Sequence, residues 1–128
     1  MLIKFIPFII ASVLLNAFAQ LFIRKGMLTL GSLPTSIAEG ISYVWNLCFN
    51  IYIMAGMSSY AISIVLWMYV LAKVNVSIAY PFQSFGYIVA AFIAFFTLGE
   101  PLSMQKIIGI IVICVGVFIL SSSPEAMK

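Results

Sequence analysis

Four long apolar blocks, Phe5 to Ile23, Ile51 to Ala72, Ile78 to Leu98 and Ile107 to Leu120, contain no Asp, Glu, Lys, Arg or His. A helix needs about 20 apolar residues to cross a ~30 Å hydrocarbon core. The first three blocks meet that length directly. The fourth reaches it when counted from Met104 to Ser122, with the Lys106 ammonium snorkelling to the interface on its aliphatic stem. The expected fold is all-α: a polytopic membrane protein with four transmembrane helices, at about 4–23, 51–72, 78–98 and 104–122. Its interior would then hold no charged group, although buried ionisable residues are the usual hardware of proton-coupled transport.

Composition supports the bilayer. The chain is 65% hydrophobic and 7% charged, whereas ordinary soluble domains are about 45–50% apolar and 25% charged. Residues 1–128 are expected to form one transmembrane domain, leaving no room among them for a soluble second one. Six basic residues against three acidic ones lie mainly at block ends. That distribution suits membrane lipid headgroups and does not form a nucleic-acid footprint. Histidine and aspartate are absent, so imidazole catalysis and carboxylate-dyad chemistry are unavailable. We expect no enzyme activity, no cofactor and no metal. Cys48 and Cys114 suggest neither a metal site nor a disulfide framework and are expected to be small packing residues. Lys4, an apolar stretch and Ala17-Phe18-Ala19 imitate a cleavable signal peptide. Apolar character nevertheless continues to Ile23, so this segment is expected to stay as a span.

Charge does not orient the spans. Lys4, Lys73 and Lys128 fall on one side, with Arg24, Lys25 and Lys106 on the other, three against three. The positive-inside rule then has no preference, which leaves weak bias or dual insertion with antiparallel pairing.

The breaks between blocks carry their own signals. Arg24-Lys25-Gly26 is expected to end the first span, basic residues meeting the C-terminal dipole and glycine stopping the helix. Gly31 to Pro34 is a turn. From about residue 36 to 48, Ile37, Ile41, Val44, Trp45 and Cys48 fall at helical spacing. This predicts a short interfacial amphipathic helix before the second span, opened by a Ser36–Glu39 capping box, with Tyr43 and Trp45 at the membrane surface. Gly56, Ser58, Ser59 and Ser63 allow close contact on the second span. The short Val74–Ser77 loop makes the second and third spans antiparallel neighbours. Pro81 is placed in the first turn of the third span, where it costs little. Gly99 stops that span and Pro101 opens the last.

Uncharged polar residues interrupt the blocks. Ser12, Asn16 and Gln20 recur at every fourth position, on one helical face. They serve either as interhelical glue, at ~0.6 kcal/mol per contact, or as a track for a polar headgroup. Tyr80, Ser84 and Tyr87 share a face of the third span, with Gln83 beside them and Gly86 allowing close approach. Opposite Asn16 and Gln20 they would line a narrow amphipathic cleft. Glu100 either complements the N-terminal dipole of the last helix or waits at the cleft mouth for a cationic group. Arg24, Lys25, Lys73 and Lys106 are helix-end anchors or phosphate ligands. Gly109 and Gly116, seven apart, give the last span a bare face suited to a dimer interface.

With these residues in view, the chain resembles the drug/metabolite transporter superfamily. Gly109 to Leu120 is similar to the dimerisation motif of small multidrug resistance proteins. Leu66-Trp67-Met68-Tyr69-Val70-Leu71, Ile78-Ala79-Tyr80-Pro81 and Gly99-Glu100-Pro101 look closer to an EamA-like branch. So do Asn16 to Gln20 and Arg24-Lys25-Gly26. That branch includes paired subunits proposed to flip aminoarabinose-linked undecaprenyl phosphate. One departure separates the branches: small multidrug resistance proteins carry a membrane-embedded glutamate in the first helix, and Ile10 to Leu15 has no acid. A cation there would lack a counter-charge, at ~2.5–3.5 kcal/mol or more.

The resemblance therefore implies a bacterial inner-membrane dimer, homodimeric or paired with a similar four-helix subunit. It would move an amphipathic, lipid-linked substrate between leaflets, a polyprenyl-phosphate sugar above all, without nucleotide hydrolysis. Two rivals stand beside it. An exporter of hydrophobic or cationic compounds would depend on Glu100, and a non-transporting partner of a membrane glycosyltransferase would be inactive alone.

Overall fold

The computed structural model describes residues 2–124, all of whose regular elements are helical. A 3-10 turn at Leu2–Lys4 leads into α1 (Ile6–Leu30), then α2 (Ile37–Cys48), α3 (Ile51–Leu71), α4 (Val76–Leu98) and α5 (Met104–Ser121). Helices α1, α3, α4 and α5 are long and apolar enough to cross a bilayer, so the chain is a multi-pass membrane protein of four spans. Lys128, counted with the N-terminal side in the charge tally, lies outside the described residues.

Helix α1 is the hub. It packs along α3 and against α4, whereas α5 packs on α4 alone among the described helices. Helices α3 and α4 are neighbours, as expected, with only loose contact between them. They are joined by a tight turn yet meet only at a few points, because both dock on α1. Small residues make the difference: Gly56 and Ser63 let α3 approach the α1 backbone, and the Ser63 hydroxyl donates to the Ser12 carbonyl at 2.7 Å. A Cβ on Gly56 would lie 2.8 Å from the Ala19 carbonyl oxygen. Between α3 and α4, by contrast, stand the bulky rings of Trp67 and Tyr80, 5.7 Å apart in an edge contact.

The first helix does not end at Gly26. It continues to Leu30 and terminates at Gly31, whose φ of +78° only glycine adopts readily. Gly26 is buried where α1 passes the start of α3: a Cβ there would meet Ile53 Cγ1 at 2.5 Å and Asn50 Oδ1 at 3.1 Å. Asn50 caps α3 by accepting from the N–H groups of Tyr52 and Ile53, while its amide donates to Thr29 Oγ1 at 2.9 Å. The glycine serves proximity, and the sequence signal for a stop was a signal for a contact.

At the other end of the bundle, Ile9, Val13, Val70, Val74, Ile78 and Ala79 form the core, and Phe5 and Phe8 lie 6.2 and 5.3 Å from Tyr69. Lys4 and Lys73 belong to this end.

Helix α2 is capped by Ser36, whose Oγ accepts from the Glu39 N–H at 3.3 Å. The reciprocal half of the capping box is shifted by one residue. Glu39 accepts from the N–H and hydroxyl of Thr35, at 3.1 and 3.0 Å. The Thr35 backbone bond, aided by the Thr35 hydroxyl, holds the Glu39 carboxyl below the ordinary carboxylate range. Ile37, Ile41, Val44 and Trp45 are all exposed on α2, the face an interfacial helix buries among headgroups. Tyr43 turns inward instead, its hydroxyl buried with no hydrogen-bond partner among the described residues.

Two proline assignments change. Helix α4 starts at Val76, so Pro81 sits in its second turn and leaves the Ser77 carbonyl without the usual i→i−4 donor. Helix α5 is opened by Ser103, which accepts from the Lys106 N–H, and not by Pro101. Gly99 does end α4, in the left-handed conformation. Cys48 is exposed and Cys114 half-buried, so Cys48 does not pack within this chain as expected.

Candidate functional site

The polar face of α1 recurs at every fourth residue through Ser12, Asn16, Gln20 and Arg24. The series is one member longer than its uncharged part suggested. A helix keeps i and i+4 on one side, and the structure opens a chain of cavities along this side. Ser12 is buried, with its hydroxyl donating to its own helix at the Ile9 carbonyl, 3.2 Å. With Asn16, Tyr60, Ser63, Trp67 and Gln83 it lines a cavity of about 70 Å³ between α1, α3 and α4.

Asn16 and Gln83 also line the next cavity, of about 30 Å³, which Gln20 and Tyr87 complete. Gln20 Nε2 donates to Asn16 Oδ1 at 3.1 Å, so the two amides are linked in series. Gly86 brings α4 close here, since a Cβ would lie 3.2 Å from Val13 Cγ1. Gln20 then forms part of a larger chamber of about 310 Å³, shared with Arg24, Glu100 and Lys106 and walled on α4 by Ala90, Ala91 and Ala94. Beside the polar series, Ile6, Ile10, Leu14, Phe82, Phe85 and Val89 line an apolar groove of about 400 Å³ between α1 and α4.

The chamber carries the only ion pair among the described residues. Arg24 Nε donates to Glu100 Oε1, joining the α1 face to the link between α4 and α5. Glu100 is held there by the end of α4, its N–H donating to the Ala94 carbonyl at 3.3 Å. It lies four residues before Met104, outside the first turn of α5, so dipole complementation does not explain it. Lys106 Nζ donates to the Pro101 carbonyl at 2.9 Å.

The remaining expected site residues scatter. Tyr80 packs edge-on against Trp67 and is absent from the lining of these cavities, as is the half-buried Ser84. Lys25 lies outside the chamber, its Nζ 4.8 Å over the Tyr52 ring. Lys73 is at the opposite end of the bundle, beside the core residue Val74. Of the four basic residues considered for a phosphate, the structure therefore brings together Arg24 and Lys106. Tyr60, Ser63 and Trp67 were missed as lining residues, although their spacing of three and four already puts them on one face of α3. Gly109 and Gly116 face away from the subunit, with nothing within 4 Å of a Cβ at either.

The EamA-like transporter family matches residues 1–122 of the chain. A relative from Proteus mirabilis, named a probable 4-amino-4-deoxy-L-arabinose-phosphoundecaprenol flippase subunit ArnF, is 34% identical over 122 residues, covering 91% of this chain and 90% of its own. A protein of the same name from Shewanella sediminis is 35% identical over 119 residues, 85% of this chain and 82% of its own. A subunit named ArnE from an Enterobacter species is 34% identical over 61 residues, 48% of this chain and 57% of its own. No solved structure matches the chain at a significant level.

Proposed function

The chain belongs to the EamA-like transporter family, and on that premise we propose that it is one subunit of a flippase for a polyprenyl-phosphate-linked sugar in the bacterial inner membrane. The observation that carries this reading is the polar seam from Ser12 to Arg24 beside an apolar groove of about 400 Å³. A lipid-linked sugar has the same two-part chemistry. Its headgroup needs exchangeable hydrogen bonds inside the bilayer, where an unsatisfied polar group costs several kcal/mol. Its prenyl tail needs only apolar surface.

Asn16, Gln20, Gln83 and Tyr87 supply donors and acceptors along α1 and α4, and Arg24 and Lys106 supply cations for the phosphate. Tyr80, Ser84, Lys25 and Lys73 have weaker claims, because they stand away from these cavities. The pairing of Glu100 with Arg24 weighs against a drug-cation exporter built on that carboxylate. No carboxylate lies within the described spans to exchange a proton, so transport would be facilitated and driven by consumption of the lipid on the far side. The subunit would act with a similar four-helix partner, and similarity to both ArnF and ArnE subunits supports a heterodimer. Gly109 and Gly116 on α5 offer the contact face.

The test is leaflet labelling. Vesicles holding the purified chain, with its partner subunit, receive a short-chain polyprenyl phosphate sugar whose headgroup is labelled from outside. Transfer should accelerate with protein and fall in N16L/Q20L. A leaflet distribution that is the same with and without protein refutes the flippase.

A further inference from the structure

The four spans fall into two bodies by the way they are fastened. Helix α3 is tied to α1 by close approach at Gly26 and Gly56, by the Ser63 hydroxyl on the Ser12 carbonyl and by the Asn50 amide on Thr29 Oγ1. Helix α5 packs on α4 alone among the described helices, and the Glu100 N–H holds the link between them to the end of α4. Between α1–α3 and α4–α5, Arg24 to Glu100 is the single side-chain hydrogen bond among the described residues. The first turn of α4 is anchored, with Ile78 and Ala79 in the core beside Ile9, Val13, Val70 and Val74. Pro81 follows at once and leaves the Ser77 carbonyl without its helical donor, the usual cause of a helix bend. Beyond Pro81, α4 faces α1 across the apolar groove of about 400 Å³, a neck of about 30 Å³ and the chamber of about 310 Å³.

We infer that α4 and α5 form an arm that swings about Pro81 away from an α1–α3 frame, and that the Arg24–Glu100 pair is the latch that holds the arm closed. The neck shows why the arm has to move. Its volume is that of a single water, so nothing larger passes from the chamber to the cavity between Ser12 and Gln83 while α4 lies against α1. Gly86 makes that contact, and a helix that meets its neighbour with a bare glycine leaves no interlocked side chain to hold it. The lever is long. From Pro81 to Leu98 the arm measures about 25 Å, so a bend of about 10° moves its Glu100 end by roughly 4 Å. A partly exposed ion pair suits a latch, because it holds through modest Coulomb attraction and yields to water or a competing charge. An opened arm exposes Asn16, Gln20 and Gln83 to a group in the chamber. That use of the motion rests on the flippase reading, whereas the motion itself does not.

Spin-label distances test the latch in the full chain in nanodiscs, with its copurifying subunit unlabelled. In a C48A/C114A background, labels at the exposed positions Leu28→Cys on α1 and Gln105→Cys on α5 report the arm. Leu28→Cys with the exposed Met57→Cys on α3 reports the frame. Glu100→Ala should move the arm distance out by roughly 4 Å or more and leave the frame distance unchanged. R24E/E100R re-forms the pair with its charges exchanged, so it should return the arm to the wild-type distance. Pro81→Ala gives the Ser77 carbonyl its donor back and should cut the Glu100→Ala displacement by about half or more. An arm distance that Glu100→Ala leaves unchanged overturns the inference. So does an equal change in the frame pair, a displacement that R24E/E100R does not reverse, or one that Pro81→Ala leaves intact. The flippase reading fails separately: an arm that moves as described in a protein without leaflet transfer defeats it and leaves the latch, while transfer with the same arm distance in wild type and Glu100→Ala does the reverse.

Discussion

Replacing Gly56 by alanine tests whether α1 and α3 are held together by backbone contact. The added Cβ would stand 2.8 Å from the Ala19 carbonyl oxygen, 2.7 Å from Ile23 Cγ1 and 3.1 Å from Ile23 N. Carbon atoms rest at about 3.5–4.0 Å from one another, so relief requires a shift of roughly half to one ångström. Ile23 can rotate away. The Ala19 oxygen and the Ile23 nitrogen belong to the α1 backbone, so the remaining relief must come from separating the helices. Overpacking costs about 1–3 kcal/mol, and a backbone obstacle belongs in the upper half of that range. Alanine's helix preference over glycine offsets about 0.5–1 kcal/mol. The net expectation is a loss of about 1–2.5 kcal/mol. Gly26→Ala is the internal control, because its nearest obstacle is the Ile53 side chain at 2.5 Å, which can turn, and it should cost less. Equilibrium unfolding in mixed micelles measures both variants. A G56A protein as stable as wild type, or a G26A protein less stable than G56A, would refute the argument.

Other outcomes follow from single contacts. Ser63→Ala removes the 2.7 Å bond to the Ser12 carbonyl; it should cost about 0.6 kcal/mol, with ~1.7 as an upper bound, by the same unfolding assay. Gly116→Leu should leave the subunit fold intact, since nothing lies within 4 Å of that position, but reduce cross-linking yield between subunits. An unchanged yield would mean that this face meets lipid alone. Glu39 has a folded pKa lowered from 4.5, so its stabilisation of the α2 start is present above that value and lost as pH falls through the lowered one. The protection factor of the Thr35 amide should therefore fall as the pH drops through the lowered value, and Glu39→Gln should remove that pH dependence.

Much of the fold was legible because a span is a local property. The apolar blocks announced α1, α3, α4 and α5, and Ser36 announced the start of α2. Errors fell where a residue's local preference met a distant neighbour. Gly26 beside Arg24-Lys25 has the composition of a helix end, yet its missing side chain is used by Ile53 and Asn50 of α3. Pro81 looked like a first-turn proline because Ser77 looked like loop. The site was partly legible: Asn16, Gln20, Gln83 and Tyr87 do line common space, while Tyr80 is diverted to Trp67. Helical spacing could name a face but not say which partner helix it meets.

The order of residues by itself determined that this chain lives in a bilayer, crosses it four times and has no charge in the middle of its spans. Transfer to hydrocarbon is summed residue by residue along one helix, so no knowledge of packing is needed. Only the tertiary structure decided that α1 stands at the centre, that Gly56 and Gly26 are points of helix contact, and that Arg24 meets Glu100 across 76 residues of chain. Helices in lipid gain little from burying apolar surface, so small residues and single polar bonds choose the neighbours. Those choices depend on shape matched between distant segments, which no local pattern contains.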